Sequence, residues 1–160
     1  MILLARDIKG VINKLVKKYG TRNPFTLADE LGIIVQFADI KSLCGFYTPL
    51  KRQRVILLNS QLRNDENEKY LNAVMAHELG HAILHRDSQC YFYSDRTFFL
   101  KSKPEVEANT FAAELLISDE DIFEHQSYTT AQLSRVTGYE ERLVELRMKN
   151  YDIYSRKELI

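Results

Sequence analysis

No stretch of the sequence strings together the ~20 apolar residues that a bilayer-spanning helix requires, which argues against a membrane-spanning chain. Cysteine is scarce. Cys44 and Cys90 are too few for a disulfide framework; read as a buried thiol and a loop thiol, they fit a reducing cytoplasm. Neither sign of charge is in excess, with 22 Lys+Arg against 22 Asp+Glu, so no polyanion or membrane surface is expected as a partner. The start, Met1 to Asp7, is apolar but lacks the charged n-region and continuing h-region of a secretory signal. Repeats, low-complexity runs and a separating linker are missing too. The chain is therefore read as one domain, 1–160, long enough to bury a substantial core, with a helical C-terminal subregion over about 119–150.

What is present is histidine, concentrated in one place. Of the 4 histidines, His77, His81 and His85 fall within a few turns of one another. The segment His77-Glu78-Leu79-Gly80-His81 puts two imidazoles four residues apart, hence on one face of a helix and one turn from each other. Zinc takes imidazole nitrogens at ~2.0–2.1 Å, and two rings so spaced can close on one ion without bending the helix. Glu78 follows the first histidine, so its carboxylate stands beside the metal, where a general base for a water nucleophile belongs. This is the H-E-x-x-H signature of zinc hydrolases. Zinc is inferred from ligand type; manganese, iron or cobalt suit the same donors. Leu71, Val74, Met75, Leu79, Ala82 and Ile83 form an apolar stripe along the helix, and Asp65 with Glu68 can form a capping box at its start.

Around this helix the pattern is α+β. A basic amphipathic helix is expected from Ile8 to Tyr19, stopped by Gly20, then a short one capped by Thr26 and ended by Gly32. Three strands follow: Ile33–Phe37, Cys44–Thr48 and Arg54–Asn59, the last two an antiparallel hairpin turning at Pro49 to Arg54 and feeding straight into the histidine helix. Arg86 to Lys103 has no clean period and reads as a long aromatic loop. Pro104 opens a helix to Ile117. Shorter helices are expected at Glu120–His125, Thr130–Val136 with a Thr129 cap, and Glu140–Lys149, before a frayed tail from Tyr151.

A catalytic zinc needs a third protein ligand and an open position. His85 lies a further turn along, ~6 Å away on a continuous helix, and no glycine turns the chain between His81 and His85. It is read as supporting the site, facing substrate, or lying on the surface. Glu105 and Glu107 are the other candidates. Glu105 shares a face with Asn109 and Ala112, a small-residue face that allows close helix packing, and Asn109 can accept a hydrogen bond from a ligand histidine. Glu107 shares its face with Phe111 and Glu114. Facing favours Glu105 over Glu107 without excluding the latter.

The blocks His77-Glu-Leu-Gly-His81-Ala-Ile-Leu-His85 and Glu105-Val-Glu-Ala-Asn109-Thr-Phe-Ala-Ala-Glu-Leu-Leu116 resemble the ImmA/IrrE family of zinc metallopeptidases. So do Tyr19 to Phe25, Gly45-Phe-Tyr47 and Ile56 to Asn59. The resemblance implies a minimal zincin-like fold, a small antiparallel or mixed three-stranded sheet packed on a helical bundle. It also implies a gluzincin-like site with His77, His81 and Glu105 on one zinc and Glu78 as base. The ImmA type implies, as substrate, a helix-turn-helix repressor of a phage or mobile element, cleaved to relieve repression. Relatives often continue Leu-Leu with Met-Pro, where this chain has Ile117-Ser118-Asp119.

The expected chemistry is peptide hydrolysis in the cytoplasm, with a tyrosine or histidine donor for the oxyanion. His85, Tyr47 and the tyrosines of Tyr91-Phe92-Tyr93 are the candidates. The Cys44–Tyr47 strand could be a sheet edge that an extended peptide joins, with Gly45 permitting close approach. Two other readings compete. One is a regulatory or protein-binding module that keeps the zincin fold without cutting. The other is DNA binding by Thr129–Arg147, which resembles a helix-turn-helix turning at Gly138. Its second helix carries Glu140, Glu141 and Glu145, a poor match to phosphates, so no direct nucleic-acid contact is expected.

Overall fold

The computed structural model describes residues 6–93 and 102–157. Asp7 caps the first helix, α1 (Ile8–Tyr19), by accepting the Gly10 N–H, and Gly20 ends it in the left-handed conformation at φ 68°. Helix α2 (Pro24–Glu30) starts earlier than expected. Asn23, not Thr26, is the cap, accepting from the Phe25 and Thr26 N–H groups. Proline in the first turn has its φ set for the helix and lacks the N–H that would otherwise be unpaired, which makes Asn-Pro a stronger start than threonine alone.

Strands β1 (Ile34–Ala38), β2 (Leu43–Leu50) and β3 (Gln53–Asn59) form a mixed sheet with β4 (Cys90–Tyr93) in the order β1-β3-β2-β4. β1 lies parallel to β3, and β2 antiparallel to both β3 and β4. The three expected strands are present, and the fourth lies in the segment read as a loop. β4 has no alternating pattern to reveal it; pairing along β2 makes it a strand. Its presence turns β2 into an inner strand, so Cys44–Tyr47 is not the edge anticipated. Pro49 sits inside β2 opposite Arg54, beyond the stretch paired with β4, where its missing N–H costs no ladder bond. The turn is Lys51-Arg52, with Lys51 left-handed at φ 56°.

The hairpin reaches the histidine helix through two short 3₁₀ turns, Ser60–Leu62 and Asp65–Asn67, so Asp65 lies in the second turn instead of closing a capping box. Helix α3 (Glu68–Leu84) is the centre of the molecule. Every residue from Ala73 to Ala82 is buried, not one stripe of them, because the sheet packs on one side and helix α4 (Lys103–Leu116) on another. Gly45 permits a close approach, but the approaching group is Val74 of α3: a Cβ on Gly45 would lie 3.0 Å from Val74 Cγ1. Gly80 does the same against α4, where a Cβ would stand 3.1 Å from Phe111 Cβ. Gly80→Val should therefore push α3 from α4 and destabilise the fold by about 1–3 kcal/mol, the usual cost of overpacking. A urea-unfolding midpoint equal to wild type would refute this.

Helices α5 (Asp119–Glu124) and α6 (Thr130–Thr137) each open with a capping box, Ser118 with Asp121 and Thr129 with Gln132. Helix α7 (Glu141–Lys157) extends through most of the expected tail; only 158–160 lie outside the described residues. Its Leu143, Val144 and Arg147 are buried and it packs on α4, α5 and α6, so this face of the helix-turn-helix-like segment belongs to the interior.

Candidate metal centre

His77 and His81 project from the same face of α3, fully buried, with their Nε2 atoms 3.0 Å apart. Glu105, in the first turn of α4, meets them from across the helix pair. Its Oε2 is 3.2 Å from His77 Nε2 and its Oε1 is 3.3 Å from His81 Nε2. Among the described residues these three form a group whose ligand atoms all lie within 4.8 Å of one another. The meeting depends on Gly80 and Phe111, which set the spacing of the two helices.

The outer nitrogens decide what the inner ones present. His77 Nδ1 is 2.7 Å from Asn109 Oδ1, a carbonyl-type oxygen that can only accept, so Nδ1 carries the proton and Nε2 a bare lone pair. His81 Nδ1 faces His85 Nδ1 at 3.1 Å, and His85 Nε2 lies 2.8 Å from Glu107 Oε2. Two imidazole nitrogens and a carboxylate thus converge on one point, and Glu105 Oε2 is buried without a hydrogen-bond partner among the described residues. Acceptors crowded against acceptors call for a cation. Ligand atoms ~2.0–2.1 Å from a tetrahedral ion stand ~3.3 Å apart, close to the separations seen here. The residues fit a metal.

Glu78 is wholly buried, and neither carboxylate oxygen has a hydrogen-bond partner among the described residues. Burial, followed by the nearby Glu105 charge, pushes its pKa well up, with the Tyr47 backbone N–H opposing in part. A cation between His77, His81 and Glu105 would counter both effects. Burial alone would raise Glu105 as well; without a metal, a proton that His77 or His81 turns toward it outweighs burial and holds that carboxyl at about 2. Burial lowers the pKa of His81 and of His85, favouring the neutral imidazole that metals require.

His85 follows the last residue of α3, and its ring turns back onto His81 instead of joining the cluster. Glu107 is as buried as Glu105 but meets His85. That partnership is absent from the sequence reading, which weighed Glu107 as a ligand alone; its spacing of two from Glu105 was the available signal. Tyr47 is fully buried and its hydroxyl donates to Arg86 O at 2.6 Å. The side chains of Tyr91 and Tyr93 lie outside the described residues.

A buried helix bearing two histidines a turn apart, set on a small mixed sheet and closed by a carboxylate from the next helix, places the fold in the zincin-like metallopeptidase class. Residues 28–149 match a peptidase family described as the IrrE N-terminal-like domain. The chain is 36% identical over 151 residues to "Uncharacterized immunity region protein 2" of Bacillus phage phi105, covering 90% of this chain and 93% of that one. It is 28% identical over 127 residues to the metallopeptidase ImmA of Bacillus subtilis (strain 168), covering 79% and 73%. It belongs to the ImmA/IrrE family.

Proposed function

We propose that this chain is a zinc-dependent endopeptidase, with one ion per chain, that cleaves a helix-turn-helix repressor of a phage or mobile element and so relieves repression. The observation that carries it is the convergence of His77, His81 and Glu105 on one point with a buried, unpartnered Glu78 beside them. His77, His81 and Glu105 would hold the zinc. When bound, zinc supplies Lewis acidity, which lowers the pKa of water from ~15.7 towards ~7 and polarises a peptide carbonyl. Glu78 takes the proton of the attacking water on its carboxylate and returns it to the departing amine nitrogen. Asn109 keeps the His77 proton on Nδ1 and its lone pair inward. Because β2 is an inner strand, main-chain pairing by an extended substrate falls to β4, the sheet's terminal strand on that side among the described residues.

The repressor is carried over from the resemblance to the ImmA type, and the peptidase family and the phage relative's immunity-region name are compatible with a protein substrate of this kind. Among the described residues no helix is long and apolar enough to cross a membrane, and we place the activity in the cytoplasm, in one domain that includes the helices of about 119–150. The test is to incubate the zinc-loaded protein with the repressor encoded beside it and follow fragments by mass spectrometry. Discrete cuts that stop with a chelator and resume with zinc are expected. An intact repressor that stays bound to metal-loaded protein would replace the endopeptidase with a non-proteolytic regulator.

A further inference from the structure

Glu107 lies 2.8 Å from His85 Nε2, and His85 Nδ1 lies 3.1 Å from His81 Nδ1, on the side of His81 away from Glu105. We propose that Glu107 is a positioning residue: acting through His85, it sets the tautomer and ring orientation of His81. The inference rests on the reading of His81 as a metal ligand.

The donor and acceptor roles leave one self-consistent assignment. A carboxylate only accepts, so His85 must present Nε2–H to Glu107. A neutral His85 then has a bare lone pair on Nδ1, which can only accept from His81 Nδ1–H. His81 is left with its own lone pair on Nε2, pointing at Glu105 and His77. Each proton position forces the next, beginning at Glu107. His77 has its counterpart in Asn109, reached directly in one bond; His81 is reached in two.

The outer end of the line is anchored. The His85 and Glu107 side chains are only 9% and 11% exposed, so water does not readily replace either bond. Arg6 stands 3.8 Å from Glu107 Oε2 and also donates to Leu84 O near the end of α3. Lys103, one turn back on α4, is 3.9 Å from Glu107 Oε1. Two cations thus hold the carboxylate where His85 finds it. The His85 N–H donates to His81 O, which keeps the two residues one helical turn apart, and the Glu107 bond fixes which way the His85 ring faces.

The experiment measures zinc affinity by competition with a chromophoric chelator, and the visible spectrum of the cobalt-substituted protein, in Glu107→Ala, His85→Phe, the double variant and Glu107→Gln. Both single variants should bind zinc about 10–100-fold more weakly, the usual cost of removing an outer partner of a ligand histidine. Because they break one line, the double variant should be no weaker than the worse single. Glu107→Gln keeps an accepting oxygen and should recover most of the affinity, and the cobalt spectrum should shift in Glu107→Ala but not in Glu107→Gln. Circular dichroism of the metal-free proteins separates these effects from unfolding, and His85→Phe tests the same line with a ring of similar size. Wild-type affinity in both single variants would overturn the positioning role and leave the proposed function standing. Additive losses, or a Glu107→Ala protein as metal-free as Glu105→Ala, would overturn it as well, the latter by making Glu107 a ligand. A wild-type protein that binds no zinc would remove the metallopeptidase reading itself, and this inference with it.

Discussion

Glu78→Gln is expected to slow peptide hydrolysis at least about 10²-fold, within the ~10²–10⁴ attributed to a positioned general base, while zinc content stays near the wild-type value. Glutamine matches the shape of Glu78 but cannot take a proton from water. Glu78 makes no hydrogen bond to His77, His81 or Glu105, so metal binding should persist. The same substitution carries a second, independent signature in the metal-free protein. Burial and the Glu105 charge raise the Glu78 pKa in the fold, so the native state holds this proton more tightly than the unfolded chain does. Stability from this source is full below the unfolded value and is lost as pH rises towards the folded one. Metal-free wild type should therefore lose stability relative to Glu78→Gln as pH rises above the ordinary glutamate range. A Gln variant that cuts as fast as wild type would end the general-base assignment; parallel stability curves would end the buried-carboxyl account.

The histidine helix was legible because its evidence is local. Spacing along one helix decides where His77, Glu78 and His81 point, and no distant contact is needed to see it. The α+β class was legible for the same reason, from the β-branched runs of β1 and β3 and the apolar periods of α1 and α3. Other features depend on partners far along the chain. Facing treated Glu105 and Glu107 as rivals for one inward position. The structure buries both, because Glu105 meets His77 and His81 while Glu107 meets a histidine beyond the end of α3. Neither helix alone could have shown this, since the Glu107–His85 contact depends on how α3 and α4 meet; His85 itself still donates its N–H to His81 O one helical turn back. β4 was invisible because an aromatic run without alternation becomes a strand only when β2 offers its free edge. The partner of the Tyr47 hydroxyl, the carbonyl of Arg86 39 residues away, was likewise out of reach of the sequence.

Arg147→Met is expected to destabilise the fold by about 3–5 kcal/mol, the cost of breaking a buried ion pair from one side. At this chain length that lowers the melting temperature by on the order of 10 °C. Arg147 is 1% exposed, and its Nε donates to Ile117 O at 2.7 Å. Its guanidinium also pairs with Asp119 and stands 3.5 Å from Glu114, itself 3% exposed. Without the arginine, Glu114 is left buried in surroundings that already raise its pKa, and the carbonyl at the C-cap of α4 loses a donor. Arg22 continues to serve the neighbouring carbonyls of Glu114 and Leu115, so α4 should loosen at its end without unwinding. Adding Glu114→Gln should recover part of the loss, because a neutral amide is cheaper to leave unpaired than a charge. Calorimetry on the single and double variants measures both effects. A loss below about 1 kcal/mol would place this cluster among weak surface pairs.

The strand order also favours one order of assembly on loop-closure grounds. β2 and β3 are joined by a two-residue turn and pair at once with their neighbour along the chain, whereas β1, which is made earlier, pairs with β3 only after β2 has been passed. Loop closure favours the near pairing, so the hairpin is the natural seed and β1 a later addition on its far side. α3 buries part of its length against that hairpin and part against α4, which follows it in the chain. His77 and His81 can therefore be set on a finished surface before Glu105 arrives. On loop-closure grounds the hairpin is expected to form before the metal centre, which joins residues of two successive helices across a long connection.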